Sequence, residues 1–158
     1  MTSYGLLMYK VINQQILVFL VHPGGPFFKN KQDGYWTIPK GESLENEEHL
    51  DTAKREFFEE TGITSVLPFI NLGEIKQKGG KRVHAWAFEH DIEVKSINSN
   101  TFTIEWPPKS GKQQSFPEID KADFFIISDA EKKINQAQLE FLKKLEKILL
   151  EQGYLSIK

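Results

Sequence analysis

Glu56, Glu59 and Glu60 stand at positions i, i+3 and i+4 of a stretch that reads as a helix. At about 100° per residue their carboxylates fall within an arc of roughly 100°. Like charges at these spacings destabilise a helix by roughly 0.2–0.5 kcal/mol per pair, so something has to neutralise them. Hard oxygen donors suit Mg²⁺ or Mn²⁺. The competing reading is a solvated acidic face, which any EFFEE helix presents.

The helix that positions these groups has its own signals. Leu50, Ala53 and Phe57 recur at helical spacing, and Phe58 widens the apolar side. Asn46 is the expected N-cap, with Glu47 and Glu48 placing negative charge where the helix dipole favours it. Gly62 supplies a left-handed stop.

The surroundings separate the two readings of the glutamates. Gly41, five residues, Glu47, seven residues, then Arg55-Glu56-Phe57-Phe58-Glu59-Glu60-Thr61-Gly62-Ile63 resembles the Nudix box at every fixed position. Seven fixed identities coincide by chance on the order of 10⁻⁸ times per starting position at ordinary residue usage. The resemblance covers residues 41–63 of 158 and is specific for the superfamily rather than for a substrate.

The resemblance implies an α/β fold, an α/β/α sandwich around a mixed β-sheet, and hydrolysis of a phosphoanhydride bond in a substrate built on a nucleoside diphosphate. It implies Glu56 and Glu60 as metal ligands, with Glu59 either a third ligand or the group that orients and deprotonates water. A backbone carbonyl at Lys40 or Gly41 joins the metal shell in such proteins. Arg55 is expected to pair with Glu47 and brace the loop–helix–loop. Glu118 resembles an extra glutamate that many Nudix enzymes carry before a late strand, with Glu105 its rival. Trp36, Pro39, Lys40 and Gly41 resemble the WxxPKG lead-in of enzymes acting on dinucleoside polyphosphates and diphosphoinositol phosphates.

Around the box, Tyr4 to Lys10 and Gln15 to His22 are split by Asn13-Gln14 and predict an opening hairpin whose second strand lies centrally. Residues 22–34 form a long Gly/Pro-rich loop, either a turn-rich connection or a rim of the site. Residues 35–41 form a short strand running into the box. Phe69 to Lys78 and Lys81 to His90 flank Gly79-Gly80, expected as a two-residue turn. Lys81 sits among the lysines at that tip, where it either solubilises the turn or meets a phosphate; Lys40 carries the same two readings. His84 and Trp86 share one strand face and are candidates to border a nucleobase, packing being the competing role for Trp86. Residues 91–122 are expected to be irregular apart from a short strand at Thr101 to Trp106, with Lys109 and Lys112 as candidate phosphate contacts. A strand from Phe124 to Ile127 and one amphipathic helix from Asp129 to about Gln152 close the chain.

A chain of 158 residues without repeat or linker is expected to form a single domain over 1–158. The formal net charge of −2 argues against a dedicated DNA binder. Zero cysteines exclude disulfides and thiolate metal sites. The run ILVFLV is too short to span a bilayer, and the first ten residues lack a charged segment followed by a signal-length apolar core. A cytoplasmic enzyme with a small nucleotide substrate, no membrane or DNA partner, and a monomeric or homodimeric state is the expectation. Lysine-rich loops and the PKG lead-in favour dinucleoside polyphosphates such as diadenosine tetraphosphate. The alternatives are an oxidised nucleoside triphosphate, a nucleotide sugar, the 5′ end of an RNA, or a non-catalytic nucleotide sensor.

Overall fold

In the strand β1 (Thr2–Ile12), Leu6 and Met8 are buried on one side and Leu7 and Tyr9 on the other. Residues buried on both faces mark a strand covered from above and below. The computed structural model describes residues 1–94 and 97–153. β2 (Gln15–Pro23) repeats the pattern, with Phe19 and Val21 against Val18 and Leu20. Asn13 and Gln14 join the two strands with φ of 51° and 65°, the left-handed pair that a two-residue hairpin turn demands.

β3 (Lys40–Gly41), β4 (Ile70–Lys76), β5 (Arg82–Glu89) and β8 (Ile119–Ile126) complete a six-stranded sheet ordered β4-β5-β1-β2-β8, with β3 paired to β1. β1 runs parallel to β5, while the other pairings are antiparallel, so the sheet is mixed. α1 (His49–Thr61) lays Ala53 and Phe57 on Leu6, Met8, Phe19 and Phe88. The Phe57 and Phe88 rings meet edge-on at 5.3 Å. On the opposite face, α2 (Ile127–Lys133) and α3 (Leu139–Glu151) cover Leu7, Val18, Leu20 and Ala85 with Ala130, Phe141, Leu142, Leu145 and Leu149. The expected α/β/α sandwich is present.

What positions the site is a wedge between β1 and β2. Those strands pair only from Tyr9↔Val18 to Ile12↔Gln15. Beyond that they splay, and residues 37–41 enter the gap: Val21 and Thr37 exchange two backbone bonds of 2.9 Å, and Gly41 lies opposite Tyr4. Gly5 permits the approach, since a Cβ there would sit 2.6 Å from the Pro39 carbonyl oxygen. The buried Gln138 holds the wedge from beneath, its Oε1 accepting the Ile38 N–H at 3.1 Å.

Several expectations are corrected. α1 starts at His49, with Glu48 rather than Asn46 as N-cap; Asn46 is a left-handed turn residue with φ of 62°. Glu47 is drawn out of the helix because its carboxylate bonds Arg55 eight residues on. The C-terminal helix is two helices, because the backbone N–H groups of Gly34 and Trp36 take the last carbonyls of α2, at Lys132 and Lys133. Asn135 then caps a new turn by accepting from the Ala137 N–H. Residues 113–117 are not irregular: β7 (Gln113–Pro117) pairs with β6 (Thr101–Glu105) as a separate hairpin. The Gly79-Gly80 turn includes Lys78 as well, closed by a 2.7 Å bond from the Gln77 N–H to the Lys81 carbonyl. β8 begins at Ile119, five residues earlier than expected, so Glu118 directly precedes it.

Candidate active site

Arg55 ties the box together. Its Nε donates to Glu47 Oε2 at 2.8 Å and its Nη2 to Glu47 Oε1 at 3.0 Å, a bidentate pair. Nη2 also reaches the Glu42 carbonyl at 3.0 Å, and Nη1 donates to Glu56 and Glu59 at 2.9 and 3.0 Å. Glu47 further accepts from the Leu44 N–H and the Thr52 hydroxyl. The Arg55 bonds, then the Leu44 N–H, hold its carboxyl at about 2, far below the ordinary value. The expected Arg55–Glu47 brace is present, and it spans loop and helix.

The three glutamates on the helical arc are not equivalent. Glu60 is buried, with 9% exposure, and its Oε2 accepts the Lys40 N–H at 2.9 Å. Burial, then the Glu56 charge, push its carboxyl up to about 8, and Glu118 adds to the rise. Glu56 is half-buried; burial leads in raising its pKa, opposed by Arg55 and reinforced by Glu59 and Glu118. Glu59 is the most exposed of the three, its side chain at 36%. Gly41 lets Glu56 in: a Cβ at position 41 would lie 2.1 Å from Glu56 Cδ.

Among the described residues no three His, Asp or Glu side chains close into a ready-made metal cage. The donor set nevertheless fits a hard divalent ion. Two carboxylates are raised, first by burial; Glu56 adds to the rise at Glu60, Glu118 acts on both, and the bare Gly41 backbone lies against Glu56. Glu105, the rival to Glu118, is engaged elsewhere: its Oε1 accepts the Lys109 N–H at 2.9 Å within the β6–β7 hairpin. The structure therefore brings Glu56, Glu60, Glu118 and Gly41 together, and leaves Lys109 on a separate hairpin turn.

Two kinds of surface flank this centre. Lys40 and Lys81 share a recess with Ser3 and Gln77. The Lys40 ammonium lies below its ordinary pKa because burial and then Lys81 outweigh the help of Glu60 and Glu56. On the α1 side of the sheet, His84 and Trp86 stack at 4.4 Å with planes 29° apart. Tyr4, paired with His84 across β1 and β5, stacks on His49 at 4.2 Å and 15°. Burial leads in lowering the His84 pKa, and its Nε2 bonds Asn71 at 2.8 Å. Tyr4 and His49 were not foreseen. Their only sequence signal is register: Tyr4 shares the strand face of Leu6 and Met8, and His49 lies seven residues before Glu56.

Comparisons with known proteins agree with this fold. The family model described as NUDIX domain matches residues 4–145. No curated protein matches the chain. Among solved structures, the NUDIX domain of Shewanella oneidensis NrtR complexed with ADP ribose is similar, with a TM-score of 0.68 at 14% identity over 94% of this chain and 88% of that one. A C. elegans Ap4A hydrolase binary complex gives a TM-score of 0.62 at 20% identity, covering 95% of this chain and 98% of that chain. NrtR complexed with a 27mer DNA is similar at a TM-score of 0.64 and 14% identity, over 96% of this chain and 63% of that one, so the resemblance leaves the expectation of no DNA partner open. No helix among the described residues is long and apolar enough to cross a membrane. Fold, box geometry and the family match converge: the chain belongs to the NUDIX domain family.

Proposed function

We propose that the protein hydrolyses a phosphoanhydride bond in a dinucleoside polyphosphate such as diadenosine tetraphosphate. The observation that carries this reading is a buried acidic centre accompanied by an aromatic platform on β1 and β5 and by a recess lined by Lys40, Lys81 and Glu42. Glu56, Glu60 and Glu118, with the Gly41 carbonyl and in reach Glu59, are the groups that would hold Mg²⁺ or Mn²⁺. Such an ion, when bound, neutralises phosphate charge and activates water.

The remaining roles fall to the chain itself. Glu59, the most exposed glutamate of the arc, is the group we assign to orienting and deprotonating water. Arg55 and Glu47 keep loop and helix in register. Lys40 and Lys81 meet phosphates beyond the scissile one. Tyr4, His49, His84 and Trp86 offer ring faces to a base. His49 precedes Glu56 by seven helical residues, about 10 Å at 1.5 Å per residue, a spacing suited to a nucleoside joined to its phosphates.

A panel of nucleotides with Mg²⁺ or Mn²⁺ tests the substrate. Diadenosine tetraphosphate is expected to have higher kcat/KM than ADP-ribose. The advantage should shrink with salt as the Debye length falls, and Lys81→Glu should erode it. ADP-ribose as the clear favourite overturns this substrate. Tight nucleotide binding without turnover would favour a sensor.

A further inference from the structure

The loop 24–35 and the β6–β7 hairpin are tied to one another and to the carboxylate centre. The Gly24 N–H donates to the Glu118 carbonyl at 2.8 Å, and the Glu118 N–H donates to Asn100 at the base of the hairpin, also at 2.8 Å. Gly25 packs on the Phe102 ring so closely that a Cβ would sit 2.7 Å from its Cζ. Further out, the Phe27 and Trp106 rings meet edge to face at 5.4 Å and 77°. Phe27 remains 59% exposed in that contact. Trp106 closes the hairpin through its N–H on the Lys112 carbonyl at 2.9 Å, with Lys109 in the same turn. An aromatic pair held by backbone bonds and ring packing, yet open to solvent, is a prepared stacking surface rather than a fragment of core.

Its position relative to the first platform is set by strand order. His84 and Trp86 lie on β5, and Tyr4 lies on the adjacent β1. Gly41 follows on β3, with Glu56 of α1 against it, while Gly24 directly follows β2 and Glu118 directly precedes β8. The acidic centre therefore falls between the two aromatic surfaces. Three residues of extended chain reach about 10 Å, so Phe27 is held close to the Gly24–Glu118 link.

We infer that Phe27 and Trp106 form a second base-stacking platform, which receives the distal nucleoside of a substrate carrying a base at each end. This rests on the dinucleoside polyphosphate reading above and extends it: one base would lie on Tyr4, His49, His84 and Trp86, the other on Phe27 and Trp106. The lysines of the hairpin turn then serve the far end of the polyphosphate.

The experiment compares kcat/KM for diadenosine tetraphosphate and adenosine tetraphosphate, which differ by one nucleoside, in the wild type, Phe27→Ala and Phe27→Trp. The wild type is expected to favour the two-base substrate. Phe27→Ala should collapse that ratio about five- to tenfold, chiefly through KM, in keeping with the cost of removing one stacking partner. Phe27→Trp should restore it. Trp106→Phe provides a second variant with a ring retained, and should reduce the ratio less than Phe27→Ala. Equal losses on both substrates, or an unchanged ratio, overturn the second platform. A wild type that cleaves both substrates without preference overturns it too, while leaving tetraphosphate hydrolysis standing. A wild type that cleaves neither overturns both readings together.

Discussion

Glu47 and Glu60 belong to one loop–helix unit and carry the same side chain, yet their carboxyls are driven in opposite directions. At Glu47 a bidentate guanidinium and a backbone N–H hold the group at about 2. At Glu60 burial and the neighbouring Glu56 charge raise it to about 8. The first end is electrostatically complete without any ligand. The second holds more negative charge than its surroundings compensate, despite the Lys40 N–H and ammonium. A scaffold and a binding centre are thus distinguished by whether the cation is built into the chain or has to arrive.

The sharpest way to break this comparison is Glu60→Gln, which keeps shape and removes charge. Turnover is expected to fall about 10²–10³-fold, the scale of losing one preorganised electrostatic contact, with the far-ultraviolet circular dichroism unchanged. Chelation should abolish wild-type turnover, and Mg²⁺ or Mn²⁺ should restore it. Full activity in Glu60→Gln, or in chelated protein, removes the ligand assignment.

Breaking the other end has a different signature. Arg55→Ala strips the partner from Glu47 and leaves Glu56 and Glu59 facing each other, so activity and melting temperature should fall together. A loss of about 1–3 kcal/mol is expected for charge-assisted bonds at a partly exposed site, or roughly 2–4 °C per kcal/mol in a domain of this size. A raised KM at unchanged melting temperature would instead place Arg55 on the substrate.

The pH dependence of metal-free stability separates the two ends directly, and it has two limbs. Glu60 has a folded pKa above its ordinary 4.5, so the folded state binds more protons between 4.5 and about 8. Its contribution is present below 4.5 and is lost as pH rises through about 8. Glu47 is the reverse: depressed from 4.5 to about 2, its contribution is present above 4.5 and is lost as pH falls through about 2. Glu60→Gln should flatten only the upper limb of melting temperature against pH, and Glu47→Gln only the lower. A single variant that flattens both limbs would show that the two ends are not separate devices.

Local signals located most of these groups, and they failed where a distant partner decided. The Asn46 cap was a sound local inference that lost to Glu47, whose bonds to Arg55 and Thr52 hold residues 46–48 outside the helix. The amphipathic run from Ile134 to Leu149 hid a break because the backbone of Gly34 and Trp36, a hundred residues away, captures the end of α2. Gln113 to Pro117 is exposed apart from a half-buried Phe116, and no hydrophobic alternation announces a strand that pairs outside the main sheet. The choice between Glu118 and Glu105 rested on where β8 begins, which depends on pairing with β2.

The sequence alone determined the chemistry available: spacings of three and four residues put Glu56, Glu59 and Glu60 on one helical arc, and Gly62 ends that helix with φ of 77°. Such features depend on bonds and side chains within a turn or two, so local order specifies them. Which glutamate is buried, which lysines lie together, and which rings stack were decided only in three dimensions. Glu60 acquires its raised pKa because residues 37–41 wedge between β1 and β2 and close over it. Tyr4 and His49, forty-five positions apart in sequence, stack because β1 passes under the start of α1. These are products of sheet register and layer packing, which depend on the whole chain being folded at once.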